Sequence, residues 1–281
     1  MKKNTKKPLV SVLMPVYNGS KFIEEAIESI LNQTYRQFEL IIADDASKDN
    51  TAKILKQYSR KYPKKIQVVT LEQNQGVAQA TNAAFNLAKG KYLAIMDCDD
   101  IAHSNRLQKQ VKFLEKNPKV IVLGTQAKII NEKGQIVGEK NFPTTHEKIY
   151  SSYGLVHPMV HPSIMIRAKL IPYKGYLYQD KYGIHADYFN LFKFLKYGEF
   201  ANLPDYLLFY RIHGNNNSLK KLKQSYWTIL KIRIEALFNL NYKFSAIPFV
   251  AMIVQSLVVL FLPESLLKYL YYSVKRIVII K

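Results

Sequence analysis

Residues 92–100 read YLAIMDCDD, an apolar run that stops abruptly in three carboxylates. Tyr92–Met96 has no helical period and the length of a buried strand. Asp97 and Asp99 then stand two apart, and in an extended segment such residues point the same way. Upstream, Gly90 closes a helical pattern over Val77–Lys89 and reads as its C′ residue. The unit is therefore helix, turn, strand and acidic loop.

The same alternation runs back to the start. Residues 9–14 (LVSVLM) form a short apolar strand followed by the turn-rich PVYNGS. Phe22, Ile23, Ala26, Ile27, Ile30 and Leu31 recur at helical spacing, with Ser20 as N-cap. Phe38–Ala43 is a second strand, Asn50–Lys61 a helix with Ile54, Leu55 and Tyr58 inward, and Ile66–Thr70 a third strand. Four strand–helix alternations predict an α/β chain with a Rossmann-like, mostly parallel sheet flanked by helices. Ligands of such sheets sit at the carboxyl ends of the strands. Three polar clusters fall there: Pro15-Val16-Tyr17-Asn18, Asp44-Asp45, and Asp97 through Asp100.

Two neighbouring carboxylates repel unless a cation relieves them. Hard divalent ions prefer carboxylate oxygen, and Mn²⁺ or Mg²⁺ commonly bridges protein to a diphosphate. Asp97 and Asp99 thus form a candidate metal–diphosphate site; the alternative is a solvated acidic turn. Cys98 faces away as a small core residue, since a soft-metal site would need a second cysteine and there is none. Asp45 can accept hydrogen bonds from a base or ribose, and Tyr17 offers a flat face for stacking. Against these stand ordinary strand-end packing for Tyr17, one of 20 tyrosines, and helix capping for Asp44 or Asp45.

Beyond residue 104 the pattern gives a helix (Leu107, Val111, Leu114), a strand at Val120–Leu123, and a hairpin over Ala127–Val137 turning at Glu132-Lys133-Gly134. Residues 157–167 (HPMVHPSIMIR) read as loop then strand, Asp187–Lys196 as helix, and Tyr206–Ile212 as extended. From Gly214 onward ten Lys or Arg face two acids, Glu235 and Glu264. Phe244–Leu262 is 19 residues without a charge, ended by Pro263; Leu266–Ile280 follows with Lys268, Lys275 and Arg276 at helical spacing. This basic, apolar extension reads as an interfacial helix pair on an anionic membrane, a packed helix of the body, or a single span.

The net charge of +20 favours polyanionic partners: nucleic acid, anionic lipid or phosphorylated substrates. Much of that excess lies in the extension and no nucleic-acid motif is present, so nucleic acid is not the expected partner. One cysteine and no signal-peptide pattern indicate a reducing, cytoplasmic setting, peripheral on the inner face of the cell membrane.

The string VSVLMPVYNGSKFIEEAIESILNQTYRQFELIIADDASKDNT, residues 10–51, and NQGVAQATNAAFNLAKGKYLAIMDCDD, residues 74–100, resemble the two opening blocks of the family 2 glycosyltransferases of the GT-A fold. His161-Pro162-Ser163 and Tyr210-Arg211-Ile212-His213 are similar to later signatures, so the resemblance covers about residues 9–218. It implies a catalytic domain over 1–218; the composition of 219–281 adds a helical, membrane-associated extension. The resemblance implies nucleotide-sugar contacts from Pro15, Tyr17, Asp44, Asp45 and Asp97. It implies a metal held by Asp97 and Asp99 with help from His213. The family's base lies in a Glu-Asp pair opening a helix; the matching residues are Ala186 and Asp187, so the Asp is kept and the Glu is gone. Thr81 stands where many relatives carry Arg.

The resulting expectation is an inverting transferase. Asp187 takes a proton from an acceptor hydroxyl, and Mn²⁺ or Mg²⁺ neutralises the leaving diphosphate. By family analogy the donor is a UDP-sugar and the acceptor a glycan or lipid-linked glycan of cell-surface polysaccharide synthesis. A sugar-phosphate nucleotidyltransferase would use the same metal and nucleotide but release pyrophosphate. A basic nucleic-acid-binding protein is the non-enzyme alternative. A long-chain synthase is disfavoured by the missing Q-x-x-R-W string.

Overall fold

The computed structural model describes residues 8–171, 175–213, 222–244 and 246–267. The first four strands, β1 (Val10–Val16), β2 (Phe38–Asp44), β3 (Ile66–Thr70) and β4 (Tyr92–Ile95), are joined by helices α1 (Ile23–Leu31), α2 (Thr51–Lys61) and α3 (Val77–Leu87). They lie parallel in the order β3-β2-β1-β4. Every residue of β1 is buried, as a central strand covered on both faces requires.

Side-chain alternation divides the core in two. Val10, Val12, Met14 and Val16 point to one face, where Ile23, Ile27 and Ile30 of α1 meet Leu107, Val111 and Leu114. Leu13, Ile41, Ala43, Leu93 and Ile95 point to the other, against Ala80 and Ala84 of α3 and the later aromatics Phe189 and Phe192.

The second half completes the sheet. A two-residue strand β5 (Ile101–Ala102) leads into α4 (Arg106–Lys116), then β6 (Val120–Ile130) and β7 (Ile136–Lys140) form the expected hairpin. After α5 (His146–Tyr153) comes a 3₁₀ turn at His161–Ser163 and β8 (Met165–Arg167); α6 (Ala186–Phe194) precedes β9 (Glu199–Arg211). The full order is β3-β2-β1-β4-β8-β6-β9-β5, with β7 on β6. Strand β8 runs antiparallel to β4 and β6, whereas β9 runs parallel to β6 and then meets β5 antiparallel. This returning strand carries the chain's late residues back to the acidic loop.

Several local expectations shift. The first helix starts at Ile23, and Ser20 is not its N-cap; Phe22 holds that position, while the Ser20 amide donates to Asp49 Oδ2 at 3.0 Å. Gly90 is not a C′ residue, because α3 stops two residues early. Lys89 N–H donates to Glu39 Oε1 and Gly90 N–H to Ser11 Oγ, both at 2.8 Å, which draws the chain onto β1. A Cβ at Gly90 would stand 2.6 Å from the Ser11 amide nitrogen, so close approach is what needs glycine there. Strand β6 continues through the position where strand and hairpin read as separate pieces, since β9 pairs along nearly all of it.

The extension contributes α7 (Leu222–Asn239) and α8 (Ala246–Phe261). Ile232 and Ala236 of α7 are buried against the α6 side of the core. The expected domain boundary at 218 and the stretch Lys268–Ile280 lie outside the described residues.

Candidate active site

The first wall is made by the ends of β1 and β2. Val16 pairs with Asp44 in register, and the two loops beyond are bolted together. Asn18 N–H donates to Ser47 Oγ at 2.9 Å, Lys48 N–H to Asn18 Oδ1 at 2.8 Å, and Gly19 N–H to Thr51 Oγ1 at 2.9 Å. Pro15, next to last in β1, is buried, while Tyr17 is 43% exposed, as a face available for stacking must be. Asp44 and Asp45 are both buried. Asp44 accepts from Ser47 N–H at 3.0 Å. Asp45 accepts from Gln75 N–H at 2.7 Å and Gly76 N–H at 2.8 Å, tying β2 to the start of α3, where Gly76 takes φ +89°. Neither caps α2: Asn50 holds the N-cap position, and Asp49 before it accepts from Thr51 N–H.

The second wall is the acidic loop. Its chain is not extended: Asp100 N–H points back to the Asp97 carbonyl at 3.5 Å in a tight turn. That turn gathers three carboxylates, so Asp100 joins Asp97 and Asp99, with ligand atoms all within 4.8 Å of one another. Cys98 packs against the core as expected, and burial pushes its thiol well up.

Strand β9 fixes this turn from behind. Arg211 is 1% exposed; its backbone N–H donates to Asp100 Oδ1 and its Nε to the Asp99 carbonyl, each at 2.8 Å. His213, two residues on, places Nε2 2.9 Å from Asp99 Oδ2. From the other side Arg106, fully buried on α4, donates to the carbonyls of Ile95 at 2.7 Å and Ile164 at 3.4 Å. Arg106 thus joins the strand before the turn to the residue after His161–Ser163.

The third wall carries Asp187 in the first turn of α6. His157 Nε2 lies 3.5 Å and His161 Nδ1 4.0 Å from Asp187 Oδ2. His161 Nε2 is 2.9 Å from the Tyr178 hydroxyl.

Burial, then Asp99 and Asp187, push Asp97 up to about 7, against the pull of Lys140 and Arg106. Burial, then Asp99 and Asp97, raise Asp100 further. Asp187 goes the other way. Burial opposes its charge, but His161, His157 and the Tyr188 backbone amide outweigh it and hold the carboxyl well below the usual range. Burial, then the charges of Asp187 and Asp97, raise Tyr178. Tyr178 and Asp97 both feel Asp187 directly, so acidic turn and α6 face one cleft.

A hard divalent cation fits the turn. Three carboxylates converge, one of them with a buried Oδ2 that has no hydrogen-bond partner. Two of the three are disfavoured as bare anions, which a cation would reverse. Asp97, Asp99, Asp100 and His213 are the residues that would hold it.

Of the positions singled out from sequence, Asp97, Asp99, His213 and Asp187 meet around this cleft, while Pro15, Tyr17, Asp44 and Asp45 line the adjoining strand ends. Asp100, Arg106, Arg211 and His157 received no role from the sequence. Adjacency to the acidic pair was a signal for Asp100. Nothing local marked Arg106 or His157.

The Glycosyl transferase family 2 profile matches residues 11–172. The chain belongs to glycosyltransferase family 2. A glycosyltransferase of Methanocaldococcus jannaschii is 37% identical over 231 residues, 79% of each chain. The O-antigen biosynthesis glycosyltransferase WbnJ of Escherichia coli is 33% identical, covering 78% of this chain and 85% of its own. Among solved structures, S. aureus TarS with UDP-GlcNAc aligns at TM-score 0.65 and 22% identity, over 82% of this chain and 66% of that one. The mannosyltransferase PcManGT of Pyrobaculum calidifontis, with GDP-Man and Mn²⁺, aligns at TM-score 0.65 and 18% identity, over 96% and 76%. These likenesses establish the GT-A fold of this family 2 glycosyltransferase.

Proposed function

We propose that this family 2 glycosyltransferase transfers a sugar, with inversion, from a nucleotide-sugar to a hydroxyl of a glycan or lipid-linked glycan in cell-surface polysaccharide synthesis. The observation that carries it is the convergence of Asp97, Asp99 and Asp100 in one turn beside His213, with Asp187 flanked by His157 and His161. Asp97 is pushed up and Asp187 down by their surroundings, and groups driven apart in this way take different roles in acid–base chemistry. Asp187 accepts the proton of the attacking hydroxyl. Asp97, Asp99, Asp100 and His213 hold Mn²⁺ or Mg²⁺, which when bound neutralises charge on the leaving diphosphate. Tyr17 stacks on the base, and Pro15, Asp44 and Asp45 shape the nucleoside end. UDP is the first nucleotide to try, because TarS binds UDP-GlcNAc. A single base, with the carboxylates of the turn committed to the cation, supports one in-line displacement.

The acceptor reading draws support from α8. No described helix is long and apolar enough to cross a membrane. Yet α8 exposes Ile247 (79%), Val250, Val254, Leu257 and Phe261 (76%), a contiguous apolar face. Exposed faces of this kind mark interaction sites. Flanking cations favour an anionic lipid surface, and a chain of net charge +20 is a poor partner for its own copy. On this reading the face docks on the inner leaflet, the surface that holds a lipid-linked acceptor.

The test is nucleoside diphosphate release from a panel of nucleotide-sugars with Mn²⁺ or Mg²⁺. Release from one donor, abolished by chelation and in Asp99→Ala, is expected. Pyrophosphate release from a nucleoside triphosphate and a sugar phosphate would instead establish a nucleotidyltransferase.

A further inference from the structure

Asp187 has lost the acidic neighbour usual at this point of the family, and Ala186 beside it is buried and inert. Histidines surround it instead: His157 and His161 within 4.0 Å of Oδ2, and His185 immediately before α6. The His157 ring is packed between Tyr153, with centroids 6.0 Å apart, and Tyr188, at 5.5 Å. Tyr188 is itself pinned: its hydroxyl donates to the Tyr153 carbonyl and accepts from Arg233 Nε at 3.3 Å. Arg233 also donates to the Leu155 carbonyl and to Gln255 Oε1 of α8. The ring therefore has little freedom except small tilts.

Both ring nitrogens of His157 are buried without a hydrogen-bond partner. A buried polar group in that condition costs on the order of a hydrogen bond. A small tilt would close the 3.5 Å between Nε2 and Asp187 Oδ2 to bonding distance, and such contacts commonly tighten only when substrates bind. His161 is differently placed, since its Nε2 already meets Tyr178.

We propose that His157 is the positioning residue for the Asp187 base: its Nε2–H holds Oδ2, leaving Oδ1 toward the acceptor hydroxyl. The inference rests on Asp187 being the base. In the step it supports, the acceptor O–H bond breaks and its proton goes to Oδ1. The acceptor oxygen bonds the anomeric carbon as the bond to the diphosphate oxygen breaks, and that electron pair leaves with the diphosphate. The groups facing His157 are Asp187 and Tyr188 from α6, Tyr153 from α5, His161 and His185 from the adjoining turns, and Arg233 behind Tyr188.

Imidazole nitrogen NMR on the full chain tests the pair without any substrate, with the His157 signal assigned from His157→Gln. The expected result is an Nε2–H tautomer whose nitrogen signal moves in Asp187→Asn, as loss of the facing carboxylate acceptor requires. An identical His157 signal in the two proteins overturns the proposal. Nucleoside diphosphate release gives the second arm. His157→Phe should lose roughly 10²-fold in kcat at unchanged donor KM, while His157→Gln, which keeps a donor, recovers most of the rate. Equal losses in the two variants also overturn it. Near-normal turnover of Asp187→Asn with the NMR coupling intact would instead overturn the base assignment on which the inference rests.

Discussion

His213 Nε2 and Asp99 Oδ2 lie 2.9 Å apart, so the end of β9 delivers an imidazole to the carboxylate turn that follows β4. The contact orients Asp99 and adds a nitrogen ligand or an outer partner to the proposed cation site. Partners of this kind typically tune affinity by about 10–100-fold. His213→Ala should raise the Mn²⁺ dissociation constant by roughly that factor, measured by titration calorimetry. Asp99→Ala should abolish binding.

Cation binding should depend on pH through Asp97. Its carboxyl is raised to about 7, so in the cation-free protein its contribution to stability is full below the ordinary carboxylate range and is lost as pH rises through about 7. A cation removes that penalty. The rise in Tm on adding Mn²⁺ should therefore be small at pH 5.5 and largest at pH 8, and Asp97→Asn should raise the cation-free Tm at pH 8.

Asp187→Asn keeps the size of the side chain and removes its basicity. Turnover should fall by roughly 10²–10⁴-fold. Donor binding, followed by thermal shift, should stay intact, because the proposed nucleoside and diphosphate contacts lie on the other walls.

Arg211 has its guanidinium on the carbonyls of Asp99, Asn131 and Glu132. Arg211→Leu leaves these carbonyls without their guanidinium partner and loosens the acidic turn, which keeps only the backbone N–H of residue 211 on Asp100. We expect a loss on the order of 3 kcal/mol in urea unfolding. The stabilisation conferred by Mn²⁺ should vanish with it.

The α8 face gives a membrane prediction. Burying one Phe or Ile is worth about 2 kcal/mol. Phe261→Ser should therefore weaken flotation with vesicles containing anionic lipid by at least ~10-fold, and Ile247→Ser with it should nearly abolish it. Neutral vesicles should bind weakly, and catalytic rates toward a soluble acceptor should be unchanged.

The parallel half was legible because each element there is local. Val10–Val16 and Phe38–Asp44 read as apolar runs whose neighbours in sequence are also neighbours in space. Asp97 and Asp99 were marked by their spacing at a strand end, and Asp187 by the family resemblance. The turn that recruits Asp100 was not, since its geometry depends on Arg211 N–H, 111 residues away. Arg106 carried no local mark beside the apolar positions of its helix; the carbonyls of Ile95 and Ile164 are what make it an interior cation. Ser20 and Gly90 misled for a related reason. Each is a fitting residue for a helix end, but contacts to Asp49 and Ser11 across the fold outweigh the local preference.

The bond between Arg211 and the Asp97–Asp100 turn also sets an order of events in biosynthesis. As the chain leaves the ribosome, β1 to β4 can pair long before β9 exists, and the acidic loop must wait for it. Sites closed by such distant partners form late in folding. A divalent ion should then do little to the refolding rate and act mainly by slowing unfolding, a kinetic clamp placed on the last joint to close.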